Sequence, residues 1–325
     1  QAQVNASYSG TSLANTVTIS TQGIQQWTVP TSGNYRIIAK GAQGGGDNNG
    51  GKGASMQGDF ALTAGQKLFI VVGQRGFGAV NSGACGGGGG SFVATGNATY
   101  TTSTALIVAG GGGGASPQQG KPGLITTNGG NGENCQAGGT NGNGGQSAQN
   151  CGNGTGGAGG FLTNGQSTGS YGGQRGYGFI SGASLGGSSQ SGNRLGGFGG
   201  GGGTHSNNTG GGPGGGYSGG SAAQHGSNYE GGGGGSFNSG TNPVNTQGVQ
   251  TGMGSVVITS LATPCASGIV AVPVTVNAIQ APTVTGTTSF CSGAAVTTTL
   301  TAAGSPSGYT WWTNANGTGQ LGTTA

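Results

Sequence analysis

Four uninterrupted runs of five glycines, at 86–90, 110–114, 199–203 and 231–235, constrain this chain more than any other feature. Glycine loses the most backbone freedom on ordering and brings no side chain to bury. With 86 glycines in 325 residues, the chain cannot build its whole interior from side chains. Glycine, serine, threonine and asparagine also disfavour α-helix. Collagen is excluded, because it needs glycine at every third position with abundant proline, and this chain has unbroken glycine runs and nine prolines. Eight basic and four acidic residues leave a net charge of +4. That is neither the clustered basic patch of a nucleic-acid-binding surface nor the high net charge of a solvated disordered chain. No apolar run approaches the roughly 20 residues that span a bilayer.

The glycines are concentrated: 72 of the 86 lie between 41 and 240, against three in 1–40 and eight in 261–325. Short β-branched or aromatic segments lie outside or between the runs, at 17–19, 24–29, 35–39, 60–62, 68–72, 91–94, 105–109 and 255–259. Bounded by Gly, Pro, Asn or Ser, they read as strands. The expected fold is all-β, a sandwich over 1–261 with a glycine-rich insert at about 41–240. The strand-like stretch 254–261 is expected to return the chain to the sheet it left. The insert is expected to be folded, because Phe161, Tyr171, Tyr177, Phe179, Phe198, Tyr217 and Phe237 punctuate it. Its buried amides need partners. An extended helix with three residues per turn has no internal hydrogen bonds, so the sequence predicts a bundle of polyglycine helices paired with one another.

Four ordered motifs carry a resemblance. They are Tyr35-Arg-Ile-Ile-Ala-Lys-Gly-Ala-Gln-Gly-Gly-Gly46, Leu68-Phe-Ile-Val-Val-Gly-Gln-Arg-Gly76, the run 86–90 with Ser91-Phe-Val93, and Leu106-Ile-Val-Ala109 with the run 110–114. Over about 16–260 the chain resembles the extracellular glycine-rich region of the anaplastic lymphoma kinase and leukocyte tyrosine kinase family. The resemblance implies a jelly-roll-like sandwich bearing a polyglycine-helix bundle, and it transfers no cytokine-binding residue. Phage tail-tip adhesins carry similar bundles, a likeness of fold that does not fix function. Two internal echoes point to one architecture: Gly73-Gln-Arg-Gly-Phe-Gly78 returns as Gly173-Gln-Arg-Gly-Tyr-Gly178, and the run before Ser91-Phe92 returns before Ser236-Phe237. Arg75 and Arg175 are expected to reach backbone carbonyls.

After an extended linker at 262–281, residues 282–325 resemble the start of an immunoglobulin-like repeat of large Bacteroidota surface proteins that use type IX secretion. Cys291 with Trp311 and Trp312 about 20 residues on fits the Cys…Trp spacing of such sandwiches. The natural protein is expected to continue past Ala325, with Cys291 paired there. Cys135 and Cys151 form the best disulfide pair, which leaves Cys85 with Cys265 by elimination. Disulfides imply a compartment outside the cytoplasm, and Gln1 with its polar start suits a mature N-terminus.

Chemical motifs are sparse. Gly46-x-x-x-x-Gly51-Lys52 imitates a phosphate-binding loop, but Gly53 stands where Ser or Thr must reach magnesium. Asp47, Asp59, Glu133 and Glu230 are far apart in sequence, and His205 and His225 have no neighbouring ligands, so neither metal nor cofactor is expected and no catalytic set is assigned. The binding candidates are Tyr171, Tyr177, Tyr217 and Tyr229, because tyrosine among Ser, Gly and Asn is the contact chemistry of recognition loops. The competing reading buries these rings as caps on the bundle. The chain is expected to be the N-terminal tip of a large secreted bacterial surface adhesin, attaching to glycans or abiotic surfaces and serving gliding motility. Its other partners would be outer-membrane secretion and anchoring machinery. The alternative is a purely structural filament cap or matrix protein, and ice binding lacks the regular threonine array it would need.

Overall fold

Apolar residues alternate along the strand segments, and two sheets close over the faces this creates. The computed structural model describes residues 1–11, 13–78, 83–152, 154–168, 173–189, 193–205, 210–224 and 229–261, and the strand segments 273–276, 283–285, 301–303, 309–312 and 320–324. The chain divides into two compact units, residues 16–278 and residues 1–15 with 279–325.

In the larger unit the strands are β1 (Val17–Thr21), β2 (Ile24–Thr28), β3 (Gly33–Lys40), β4 (Gly53–Leu62), β5 (Lys67–Val71), β6 (Ser91–Thr95), β7 (Thr104–Ala109), β8 (Phe237–Asn238), β9 (Thr241–Gln250), β10 (Ser255–Leu261) and β11 (Pro273–Val276). One sheet runs β1-β2-β5-β6-β7-β8 and the other β11-β10-β3-β4-β9. All their described pairings are antiparallel. The fold is an all-β sandwich, with β3, β4 and β10 packed against β6 and β7. Across the interface Trp27 meets the edge of Tyr35 at 6.1 Å. Strand β10 pairs with β3 from Leu261↔Asn34 to Ser255↔Lys40, so the chain does return to the sheet it left. In the smaller unit β12 (Thr283–Thr285) pairs with β13 (Thr301–Ala303) and β14 (Tyr309–Trp312) with β15 (Gln320–Thr324). Cys265 and Cys291 lie outside the described residues.

Strand β5 is buried along Leu68–Val71 on both faces. Its Leu68 and Ile70 follow the same alternation as Trp27, toward the other sheet. Phe69 and Val71 join Phe92, Ala94 and Val108 in a cluster with Phe161 and Phe179 of the glycine-rich part. The six-stranded sheet is therefore a middle layer, covered on one side by the second sheet and on the other by rings from the glycine-rich backbone.

That backbone leaves the strands at 41–52, 72–90 and 110–236, and its segments pair with each other in a regular way. Cys85 and Gly88 donate to Ala115 and Gly112, Gly86 and Gly89 to Phe77 and Gln74, and Gly87 and Gly90 to Gly202 and Gly199, all at 2.8–3.0 Å. The same segment accepts from Gly212 and Gly215, from Gly45 and Ala42, and from Gly197. In 111–115, donors 111 and 114 serve Gly215 and Gly212, donors 112 and 115 serve Ala42 and Gly45, and Gly113 serves Lys121. Directions that repeat every third residue are what an extended helix of three residues per turn presents. A methyl built on any of Gly110 to Gly114 would land on a backbone carbonyl oxygen of a neighbouring segment. Side chains are excluded here because backbone packs directly on backbone.

Both sequence echoes occupy matching positions. Gln74 and Phe77 donate to Phe198 and Leu195 while Gly76 donates to Gln43; Gln174 and Tyr177 donate to Ser188 and Leu185 while Gly176 donates to Gly157. Ser91 Oγ accepts from the Gly73 amide and donates to the Lys40 carbonyl, and Ser236 Oγ accepts from the Gly110 amide and donates to the Leu124 carbonyl. The phenylalanine after each serine enters one ladder of rings. The arginines differ from expectation. Arg75 reaches the Asp47 carboxylate at 3.4 Å, and Arg175 lies 5.5 Å over the Tyr177 ring, because each has a polar or aromatic partner within reach of its guanidinium.

Candidate functional site

Of the four tyrosines proposed from sequence, the structure describes Tyr177, Tyr217 and Tyr229. Tyr171 lies outside the described residues. Tyr217 is half-buried in the ring ladder, stacked on Phe237 at 4.7 Å and on Phe161 at 6.1 Å. The ladder continues from Phe161 to Phe179 at 5.2 Å and from Phe179 to Phe92 at 5.4 Å. Backbone bonds fix its spacing: the Tyr217 amide donates to Gly235, and the Phe161 amide donates to the Tyr217 carbonyl, each at 2.7 Å. Tyr177 is half-buried beneath Arg175. Tyr229 is half-buried, its carbonyl accepting from Gly211 at 2.9 Å.

The structure gathers a different set of side chains. Lys52, Gln119, Gly120, Lys121, Pro122, Glu230 and Gly248 line a solvent-open cleft of about 410 Å³. Four stretches of chain build it. Lys52 sits just before β4, 119–122 follow the run 110–114, Glu230 immediately precedes the run 231–235, and Gly248 lies on β9. Gly248 has a φ of +62°, and a side chain there would meet Pro122 Cβ, so glycine is required by both conformation and approach. Lys121 Nζ donates to the Asn131 carbonyl at 3.0 Å.

At Glu230 two acidic residues 97 positions apart in sequence are brought together through their backbones. The Glu133 amide donates to the Glu230 carbonyl at 3.0 Å, and the Glu230 amide donates to Glu133 Oε2 at 3.4 Å. Burial pushes the Glu230 carboxyl above its usual range, and the Glu133 charge adds to the rise against the opposing pull of Lys121. Near Glu133 in sequence, Cys135 and Cys151 are joined in a disulfide, as their spacing predicted. Cys85 instead carries a free, buried thiol, so the pairing with Cys265 reached by elimination is not made. Desolvation pushes that thiol up to about 11.

The remaining acidic residues are held by arginines. Asp59 accepts from Arg36 Nε and Nη2 at 2.8 and 2.9 Å and from Asn242 Nδ2 at 3.0 Å, which ties β3, β4 and β9 together. The Arg36 hydrogen bond holds the Asp59 carboxyl below its usual range. The phosphate-loop imitation is closed, since the Gly51 amide donates to Gly113. Among the described residues no three of His, Cys, Asp and Glu converge as a metal site, and no helix is long and apolar enough to cross a membrane. Local sequence carried no sign of the Lys52–Lys121–Glu230 convergence, because the neighbour relations run through glycine backbone. No protein-family model matches this chain.

Proposed function

We propose that this chain is a recognition domain of a large secreted bacterial surface adhesin, attaching to glycans or abiotic surfaces, on a jelly-roll-like sandwich with a polyglycine-helix bundle. What most supports the reading is the surface that the scaffold offers. Residues 241–247 of β9 are exposed in succession and carry hydroxyl, amide and small apolar groups with no charge. Such a surface binds through shape and hydrogen bonds. The Cys135–Cys151 disulfide fits an oxidising location, and on this reading the protein sits at the bacterial cell surface, anchored by outer-membrane secretion machinery. It has no catalytic role.

The stacking of the half-buried Tyr217 ring between Phe161 and Phe237 favours the second reading, a structural cap or matrix element without a specific ligand. The two separate in one experiment. The purified 325-residue chain is coupled to beads and tested on a glycan array, on bacterial and host cells, and on glass and polystyrene. Saturable binding to any of these supports adhesion, and no retention above uncoupled beads favours the structural role.

A further inference from the structure

The cleft bounded by Lys52, Lys121 and Glu230 is built from an uncommon resource. Only 12 of 325 residues are charged. Asp59 and Asp47 are paired with Arg36 and Arg75. Two of the remaining cations and one of the two remaining carboxylates line a single opening, delivered by segments far apart in the chain. Its volume falls near the lower end of the roughly 300–1,000 Å³ typical of small-ligand sites.

The groups around the opening are chemically specific. Lys52 is exposed and Lys121 half-buried, so both ammonium groups remain accessible to a ligand anion. Lys121 Nζ gives one of its three protons to Asn131 and keeps two for another partner. Glu230 offers carboxylate oxygens that accept from hydroxyls, and Gln119 offers an amide that donates and accepts. Pro122, with Gly248 packed against it, supplies an apolar part of the lining. An anion alone would gain from the lysines and be repelled by Glu230. A neutral sugar would use Glu230 and Gln119 and bring no negative charge of its own to the two lysines.

We infer that the cleft bounded by Lys52, Lys121 and Glu230 binds an acidic sugar residue, a polyhydroxylated ring bearing a carboxylate, as found in uronate-containing polysaccharides. The ring carboxylate accepts from the two ammonium groups, the ring hydroxyls donate to Glu230 and exchange hydrogen bonds with Gln119, and the C–H face lies on Pro122. Charge-assisted hydrogen bonds of this kind are shorter and about twice as strong as neutral ones. The inference rests on the glycan-binding reading and names its ligand class and site.

The test is calorimetric titration of the whole chain with an oligogalacturonate, and in parallel with a neutral oligosaccharide of the same length and a sulfated one. The expected result is binding of the oligogalacturonate that weakens at least about tenfold in the Lys52→Gln/Lys121→Gln double variant, weakens again with added salt, and is retained in a Lys52→Arg/Lys121→Arg variant. Glu230→Gln is expected to weaken the same ligand less. Both lysines are solvent-accessible, and unchanged thermal unfolding of the variants establishes that they are folded. The inference is overturned by oligogalacturonate affinity unchanged in the double variant, by equal affinity for the neutral oligosaccharide, by preference for the sulfated one, or by no uronate binding. Neutral-sugar binding insensitive to the lysines would leave the adhesion reading standing while removing this site.

Discussion

Gly112→Ala is the sharpest perturbation of the backbone-to-backbone packing. The new methyl would fall on the Gly51 carbonyl oxygen. That oxygen accepts from the Gly44 amide, the Gly51 amide donates to Gly113, and the Gly112 amide donates to Ala42, each at 2.9 Å. Relieving the overlap separates 112 from 51 and lengthens all three bonds in a region closed to water. A buried amide deprived of its partner costs about 1–3 kcal/mol, so three give roughly 3–9. The lower entropy of the unfolded alanine chain returns about 0.4–1. The net destabilisation is about 5 kcal/mol, which corresponds to a fall in melting temperature of roughly 10–20 °C for a domain of this size. Gly33→Ala is the matched control, because a methyl on Gly33 meets nothing within 4 Å, and it is expected to stay within about 0.5 kcal/mol of the parent. Both are measured by denaturant and thermal unfolding with the disulfide intact. A Gly112→Ala stability within about 1 kcal/mol of the parent, or equal effects at the two sites, would refute direct backbone packing as the reason for glycine.

Three further outcomes follow from other parts of the molecule. Phe179→Ala, which removes a fully buried ring between Phe92 and Phe161, is expected to cost about 3–5 kcal/mol, whereas Phe77→Ala at a 42% exposed position is expected to be close to neutral in the same unfolding assay. Asp59 has its folded pKa below the unfolded value, so its contribution is present above the unfolded pKa of about 3.9 and is lost as pH falls through the folded one. Asp59→Asn should lower stability at pH 7 and flatten its decline between about pH 5 and pH 2, measured as urea midpoints across that range. Cys85 is buried with its thiol pushed up to about 11, so iodoacetamide at neutral pH should label it only after global unfolding, as read by peptide mass mapping; rapid labelling of the folded chain would contradict its placement.

Much of the sandwich was legible because its strands advertise themselves by apolar alternation. The segments around Tyr35, Leu68, Phe92 and Ile107 all became strands. Strand β9 was not legible. An edge strand with both faces open has no apolar face to alternate, and Thr-Asn-Pro-Val-Asn-Thr-Gln-Gly reads as loop. The first half of β4, from Gly53 to Asp59, was hidden for a related reason, since its small and polar residues lack a run of β-branched side chains. The Cys135–Cys151 bond was readable because its partners are near in sequence. The ladder rings were recognisable as pins, but their mutual order was not. Which glycine segment neighbours which was unreadable in principle: a residue without a side chain carries no mark of its partner. The Glu133–Glu230 meeting and the cleft inherit that silence.

The three-residue repeat of hydrogen-bonding directions gives the glycine segments something like a reading frame. Removing one residue from the run 110–114 would turn everything beyond it by about 120° and send each amide to the wrong neighbour. Removing three would shorten the segment by about 9 Å and leave every direction as it was. Changes of length in these segments should therefore be tolerated in threes and rejected in ones and twos. Codon-sized steps in the gene would then be filtered into nine-nucleotide steps by the geometry of the folded chain.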